Sequence, residues 1–296
     1  MNQIAATMPT TSTRTRGLVF ALLGILIFSG SLPATRIAVA SLDAFFVTAA
    51  RAVVAAALGG LCLLLMRAPR PARLDILPLV GVAAGVVVGF PLLTGLALKS
   101  VSSSHSTVFV GLLPLSTAIF GILRGGERPR PRFWIFAIAG SGLTAAYALG
   151  SGGLSVSRPD LMMLAAITVC GYGYAEGAQL TRRLGGWQVI SWALLAALPI
   201  MLPLAWITAP ADFSAVTPAA WAGLAYVSLF SMLIGFVFWY AGLAEGGTAS
   251  AGQLQLLQPF LSFLWAGLLL GETITWQMLG ATVGILALVT AARRNA

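Results

Sequence analysis

Long apolar runs recur along almost the whole chain, and they constrain its fold more than any other feature. Of the 296 residues, 58% are hydrophobic and only 8% are charged, whereas a soluble domain is typically about 25% charged. A helix needs roughly 20 predominantly apolar residues to cross a bilayer. The runs therefore predict an all-α membrane protein with ten transmembrane helices, over about 17–40, 44–66, 74–97, 105–123, 132–150, 159–180, 187–207, 218–242, 249–270 and 274–292.

The segments between the runs are short and rich in Pro, Gly and Arg, so none of them can hold a soluble domain. Residues 1–16, which are rich in Ser and Thr, are interpreted as a disordered cytoplasmic tail, with an organelle presequence as the alternative. Cys62 and Cys170 both fall inside apolar runs, which fits neither a disulfide framework nor a metal site. We expect no cofactor and no metal.

Positive charge is distributed unevenly between the two sides of the predicted bundle. We call the side that holds the N-terminus side one and the opposite side side two. Side two holds Arg36, Lys99 and Arg158, Arg51 lies within the second run, and the other 13 of the 17 Lys and Arg residues fall on side one. An excess of Lys and Arg in short loops marks the cytoplasmic face. The pattern predicts cytoplasmic termini and lipid headgroups as partners, and it gives the net charge of +9 no role in binding nucleic acid.

Two apolar runs share one pattern. "HSTVFVGLLPLSTAIFGILRGGE" and "SAGQLQLLQPFLSFLWAGLLLGE" each have a Pro in the middle and a Gly-Glu at the end, and the two align without a gap at an offset of 145 residues. In a chain so rich in leucine, leucine matches arise easily by chance, whereas matches of Pro, Gly and Glu at identical spacing do not. The aligned pairs are Pro114 with Pro259, Gly126 with Gly271 and Glu127 with Glu272.

This offset divides the chain into two copies of a five-helix unit, residues 17–152 and 153–296. Because five is an odd number, the second copy would cross the membrane upside down. The basic loops of the first copy correspond to loops without Lys or Arg in the second, as this inversion requires. Inverted repeats are a common architecture of secondary transporters, which hold their substrate near the midplane between the halves.

The whole pattern resembles the drug/metabolite transporter superfamily, within it the EamA family, and most closely the YddG-type amino-acid exporters. The resemblance rests on the ten runs, the two central prolines and the Gly-Glu that follows each proline. It implies a basket of helices around a central cavity, lined mainly by spans 1–4 and 6–9, with spans 5 and 10 at the periphery. We expect a small molecule, such as an amino acid or a related metabolite, as the substrate and a monomer as the working unit.

Polar side chains inside the runs are the candidates for the cavity wall. An ionised group at a helix centre costs about 2.5–3.5 kcal/mol on insertion scales, so Arg51 is expected to make an interaction that offsets this cost. It meets a substrate carboxylate, joins an internal ion pair, or reaches the interface. Gln255 and Gln258 share a helix face next to Pro259 and either bond another helix or line the cavity. The remaining candidates for the cavity wall are three aromatic residues, whose alternative role is to anchor helix ends at the membrane interface. They are Tyr174, Trp239 and Tyr240.

Hinges and proton carriers form the last group of candidates. A central Pro removes a backbone hydrogen bond and kinks a helix, so four prolines either act as hinges or only shape their helices. His105 and Glu176 are the proton-coupling candidates. The alternatives are that His105 is a solvated helix cap and that Glu176 pairs with Arg182 or Arg183. The four prolines are Pro33, Pro91, Pro114 and Pro259.

Other functional classes fit the sequence poorly. The single Lys and the lack of a phosphate-binding Gly-rich motif exclude an ATP-driven pump. A membrane enzyme needs a catalytic constellation, and a channel needs a polar filter or a charged ring; neither pattern is present. The sequence favours a transporter of the bacterial inner membrane that exports small amphipathic metabolites, amino acids above all, including aromatic and apolar ones. A broader drug or metabolite exporter and an integral-membrane enzyme are the alternatives.

Overall fold

Every regular element of the computed structural model is helical, and the described residues contain no β-strand. The structure describes residues 11–125, 130–151, 156–246 and 254–294. The α-helices are α1 (Thr11–Ser29), α2 (Ser31–Val39), α3 (Ala44–Leu65), α4 (Arg73–Val82), α5 (Phe90–Leu98), α6 (Ser103–Val110), α7 (Leu113–Gly125), α8 (Pro131–Ser151), α9 (Arg158–Leu184), α10 (Gly186–Ile207), α11 (Pro218–Tyr226), α12 (Gly235–Gly246), α13 (Gln258–Leu270) and α14 (Trp276–Arg293).

Seven helical stretches of the described residues are long and apolar enough to cross a membrane, which makes the chain a multi-pass membrane protein. Two shorter apolar helices cover Gln255–Leu270 and Trp276–Ala292, and α8 adds a further helix. Helix α1 begins at Thr11, so the predicted disordered tail is helical from that residue onward. The seven stretches are Thr15–Val39, Ala44–Leu65, Arg73–Leu98, Ser103–Arg124, Arg158–Leu184, Gly186–Ile207 and Pro218–Gly242.

In four of these stretches or shorter helices, a proline lies in the first turn of a new helical segment. Pro33 lies in the first turn of α2, Pro91 in that of α5, Pro114 in that of α7 and Pro259 in that of α13. The first turn of a helix tolerates Pro because its N–H groups have no intrahelical acceptor in any case. Each proline therefore begins a new segment, and the predicted interruptions are present at all four. Their role as hinges stays a prediction.

Two of the spans contain a π-helical segment. The segments cover Ala83–Gly89, between α4 and α5, and Val227–Ile234, between α11 and α12. At the end of each, a backbone N–H donates to the carbonyl five residues earlier, from Phe90 to Gly85 and from Gly235 to Phe230. π-Helical turns are rare in proteins, and those that occur are often found at functional sites. The last residues of the two segments, Gly89 and Ile234, are 145 residues apart.

The helices pack in reciprocal pairs. Helices α1 and α2 lie along α12 and α11, while α9 lies along α4, α5 and the π-helical segment between them. Helix α3 packs on α10, α8 packs on α14, and α7 packs on α9. The contacts leave a narrow space in the middle of the bundle, at the level of the two π-helical segments.

Glycines of the third span let α9 approach closely. A Cβ atom on Gly85 would lie 2.3 Å from the carbonyl oxygen of Val169 and 3.1 Å from the Cα of Gly173. A Cβ atom on Gly81 would lie 3.0 Å from the hydroxyl oxygen of Tyr172. Small residues allow this backbone contact in a membrane, where helix association depends on close packing. Packing within one chain therefore explains this glycine run.

Replacing Gly85 by Ala is expected to lower the melting temperature of the detergent-solubilised protein. The added methyl group would collide with the Val169 carbonyl, and overpacking of this kind typically costs about 1–3 kcal/mol. Gly142→Ala is the matched control, because a Cβ atom at Gly142 of α8 has no neighbour within 4 Å. Scanning fluorimetry of the two variants gives the comparison. Equal melting temperatures would show that the Gly85 contact is not tight.

Candidate substrate cavity

A small cavity lies between the helices in the middle of the bundle. Residues of both π-helical segments form part of its wall. Residues at or next to the helix breaks at Gly30, Pro91 and Pro114 also line it. None of the lining residues comes from α8, α10 or α14. The lining residues are Phe28, Ser31, Leu32, Arg51, Val86, Phe90, Pro91, Val110, Leu113, Cys170, Tyr174, Ser231, Met232, Phe236 and Gln258.

Arg51 is the charged group of this cavity. Its side chain is 4% exposed, and its Nη2 donates a hydrogen bond to the hydroxyl of Ser231 over 3.1 Å. The Ser231 hydroxyl lies 2.7 Å from that of Ser31. Among the described residues, no carboxylate oxygen lies within 4 Å of Arg51 and its Nε has no acceptor. The internal ion pair that the sequence left open is therefore not formed within this part of the chain.

Gln258 and Tyr174 line the same cavity as Arg51. Gln258 is 9% exposed, and its Oε1 has no hydrogen-bond donor among the described residues. The Tyr174 ring meets the Phe236 ring edge-on, with ring centroids 6.1 Å apart. The Phe28 ring also contacts the Phe236 ring, with centroids 4.9 Å apart. The cavity thus combines one cation, the hydroxyls of two serines and one tyrosine, and one amide with aromatic and aliphatic surface.

Trp239, Tyr240 and Gln255 are buried but are not among the residues that line this cavity. Tyr240 fills space that glycines leave open, since a Cβ atom on Gly186 would lie 2.2 Å from its Cβ and one on Gly177 would lie 2.5 Å from its hydroxyl. The backbone of Trp239 packs against α1 at Gly24. Both aromatics therefore contribute to helix packing, the Tyr240 hydroxyl has no hydrogen-bond partner among the described residues, and a role of either at the substrate site stays a prediction.

The partner of Glu176 differs from the one that the sequence suggested. Glu176 is 1% exposed, and its Oε1 lies 2.5 Å from Nε of Arg124, at the end of α7. The predicted pairing with Arg182 or Arg183 is wrong. Arg183 instead pairs with Asp75 at the start of α4, over 2.7 Å. Both pairs lie at side one and join α9 to its neighbours, whereas helical spacing within α9 alone pointed to a local pair.

His105 is part of a buried network at side two. Its Nε2 lies 2.6 Å from Oδ1 of Asp160, and its Nδ1 lies 3.2 Å from the hydroxyl of Tyr147. The side chain is only 13% exposed, so a solvated cap is wrong, and Ser102 is the residue that caps α6. Asp160 also forms the capping box of α9 with Ser157. The described residues contain no group of three or more potential metal ligands.

The second Gly-Glu of the repeated pattern has a visible structural role. Gly271 ends α13 in the left-handed conformation, with φ of 62°. The Glu272 carboxylate then accepts four hydrogen bonds of 2.6–3.0 Å from the backbone N–H groups and hydroxyls of Ser103 and Ser104. It therefore neutralises the free N–H groups at the start of α6, where a negative charge is favourable. The first pair, Gly126 and Glu127, lies outside the described residues.

Sequence reasoning missed the two serines of the cavity and the cap that Glu272 provides. Ser31 and Ser231 looked like ordinary small residues of apolar spans. The signal for them is their distance from the span ends, since a serine in the middle of a span must find a hydrogen-bond partner in the protein. The signal for the cap is an acid directly after a helix end, combined with the serine-rich segment before α6.

A bundle of membrane-spanning helices around a small cavity with a few convergent polar groups is the architecture of a small-molecule transporter. The model of the EamA-like transporter family matches the chain twice, over residues 15–145 and 157–292. The chain belongs to this family of transporters, which are not enzymes. This confirms the resemblance that the sequence pattern indicated.

Individual relatives give the same assignment. The chain is 57% identical over 282 residues to the uncharacterized transporter YdeK of Bacillus subtilis, covering 95% of this chain and 98% of that protein. It is 27% identical over 286 residues to a probable terminal-alkyne amino-acid exporter of Streptantibioticus cattleyicolor, covering 92% of each. A solved crystal structure shares the fold with a TM-score of 0.64 at 19% identity, covering 96% of this chain and all of the other.

Replacing Glu272 by Ala is expected to lower the melting temperature clearly. The change leaves the N–H groups of Ser103 and Ser104 buried without an acceptor, and each such group costs about 1–3 kcal/mol. Glu245→Ala is the matched control, since Glu245 meets Arg16 in an exposed pair at side one, and exposed pairs contribute little. If both variants melt alike in detergent, the cap does not stabilise α6.

Proposed function

We propose that this protein exports small amphipathic metabolites, amino acids above all, from the bacterial cytoplasm by alternating access through the central cavity. The observation that carries the proposal is the cavity itself, whose wall contains a buried guanidinium, an unpaired amide oxygen and aromatic rings. Such a set suits a molecule with a polar head and an apolar body. The name of the distant Streptantibioticus relative, an amino-acid exporter, points to the same class.

Ten spans in two inverted halves are part of this proposal. The two matches of the family model support a duplication close to residues 17–152 and 153–296. The two π-helical segments support it too, because they end at the same 145-residue offset as Pro114 and Pro259. The reciprocal packing of α1 and α2 on α11 and α12, and of α9 on α4 and α5, is what two related halves would produce.

The proposed placement is the plasma (inner) membrane, with both termini in the cytoplasm. It rests on the Arg-rich loops of side one. We propose a monomer as the working unit, because helices from both halves of one chain line the cavity. The hinges of the alternating movement would be the breaks before Pro33, Pro91, Pro114 and Pro259, where fewer backbone hydrogen bonds resist bending.

Transport down the concentration gradient, without proton coupling, is the proposed energetic mode. Both titratable candidates have fixed partners at the ends of the bundle, His105 with Asp160 and Glu176 with Arg124, and neither lines the cavity. In liposomes, an imposed pH gradient would then fail to accumulate substrate against its gradient. Uphill accumulation that disappears in the double variant His105→Gln/Glu176→Gln would contradict this mode and assign the proton to these residues.

Counterflow in liposomes tests the proposed function. The protein is reconstituted into liposomes loaded with unlabelled amino acids, and uptake of labelled amino acids is followed without any ion gradient. We expect uptake with the wild type and at least a tenfold loss in Leu113→Trp, since the indole fills the cavity. Leu264→Trp is the matched control, because Leu264 is 52% exposed on the outside of α13. Movement of a lipophilic cation but of no amino acid would favour the broader drug exporter.

A further inference from the structure

The charges around the cavity restrict the chemistry of its substrate. We propose that Arg51, with Ser31 and Ser231, forms a carboxylate-binding subsite, and that the substrate is an α-amino acid with an apolar side chain. This inference rests on the proposed function, because it names the substrate class of the same cavity.

Arg51 is a buried cation that no acid balances among the described residues. A guanidinium stays protonated in proteins, and an isolated charge in a membrane interior is costly. Its hydrogen bond to Ser231 supplies no negative charge, and its Nε has no acceptor. The buried carboxylates of the described residues, in contrast, each have a partner. Glu176 pairs with Arg124 and Asp75 with Arg183, while Asp160 lies within hydrogen-bond distance of His105.

The missing counterion can therefore come from the cavity, which Arg51 lines. A guanidinium binds a carboxylate through two parallel N–H donors. The hydroxyls of Ser31 and Ser231 are 2.7 Å apart, and either can act as the donor. A carboxylate that enters beside Arg51 would accept from the guanidinium and from these rotatable hydroxyls together. Arg51 is thus a specificity-determining residue of this site.

The remaining wall fits the other two parts of an amino acid. The Oε1 atom of Gln258 is a buried acceptor without a donor, which an ammonium group would provide. The rings of Phe28, Phe90 and Phe236 form apolar surface for a side chain. Amines without a carboxylate meet only repulsion from Arg51, so the arrangement selects zwitterions over cations.

Analogue competition in the wild type is the first part of the test. Counterflow of labelled phenylalanine is measured against unlabelled phenylalanine, phenylalaninamide, phenethylamine and 3-phenylpropanoate. We expect the two compounds without a carboxylate to compete about 10- to 100-fold more weakly than phenylalanine, the loss that a charged hydrogen-bond partner typically gives. 3-Phenylpropanoate, which keeps the carboxylate, should compete better than either. Equal competition by phenylalaninamide would overturn the carboxylate subsite.

Variants of Arg51 form the second part. Arg51→Gln should weaken competition by phenylalanine by a similar factor and leave competition by phenylalaninamide unchanged or stronger. Arg51→Lys keeps the positive charge and should recover part of the affinity for phenylalanine. Arg36→Gln is the matched control, because Arg36 donates to the backbone carbonyl of Leu98 and does not line the cavity. Arg51→Gln should not melt below the wild type, since it removes an unbalanced buried charge. If it does not fold, the analogue series alone decides.

The two proposals fail in different ways. If the wild type moves no amino acid in counterflow, both the proposed export of amino acids and the carboxylate-binding subsite are wrong. If phenylalanine moves and its amide moves equally well, amino-acid transport stands and only the role of Arg51 is wrong. An Arg51→Gln variant with an unchanged preference for phenylalanine over its amide would overturn the subsite in the same way.

Discussion

The bilayer offers no hydrogen bonds, so each polar group inside this bundle needs a partner within the protein. The structure meets this constraint in several ways. Hydroxyls such as that of Thr48 donate to the carbonyl four residues earlier, and buried acids of α9 pair with residues of neighbouring helices. The Glu272 carboxylate supplies four acceptor contacts at the start of α6. Arg51 differs from the buried carboxylates of the described residues because it has no ionisable partner, and it lines the cavity together with Gln258, whose amide oxygen has no donor. We propose that a ligand supplies both missing partners.

The shape of that cavity follows from where the helices are interrupted. The π-helical segments and the proline-led breaks widen or end a regular turn. Val86 and Ser231, which lie within the two π-helical segments, line the cavity. Gly85 lets α9 come close to the π-helical segment that contributes Val86 to the cavity wall. In the proposed mechanism the same interruptions act as hinges, which would couple the substrate site to the movement that carries the substrate across.

The sequence predicted the features that depend on composition and spacing: the helical class, most span limits, the repeated proline pattern and the family. It also selected three residues that line the cavity, Arg51, Tyr174 and Gln258. It could not predict partners across helices. Local spacing gave Glu176 a neighbour on its own helix, while the fold gave it Arg124. It also could not orient Tyr240, because the π-helical turn before α12 shifts the helical register by an amount that residue types do not reveal.

Accessibility of a single cysteine from the two sides tests the central claim, that one cavity serves both faces of the membrane in turn. Val110, which lines the cavity, is replaced by Cys in a chain whose Cys62 and Cys170 are replaced by Ala, and a membrane-impermeant thiol reagent is added to oriented vesicles from either side. The account predicts labelling from both sides, with the transported amino acid slowing it from each. Labelling from one side only, unchanged when substrate is added from either side, would contradict alternating access through this cavity.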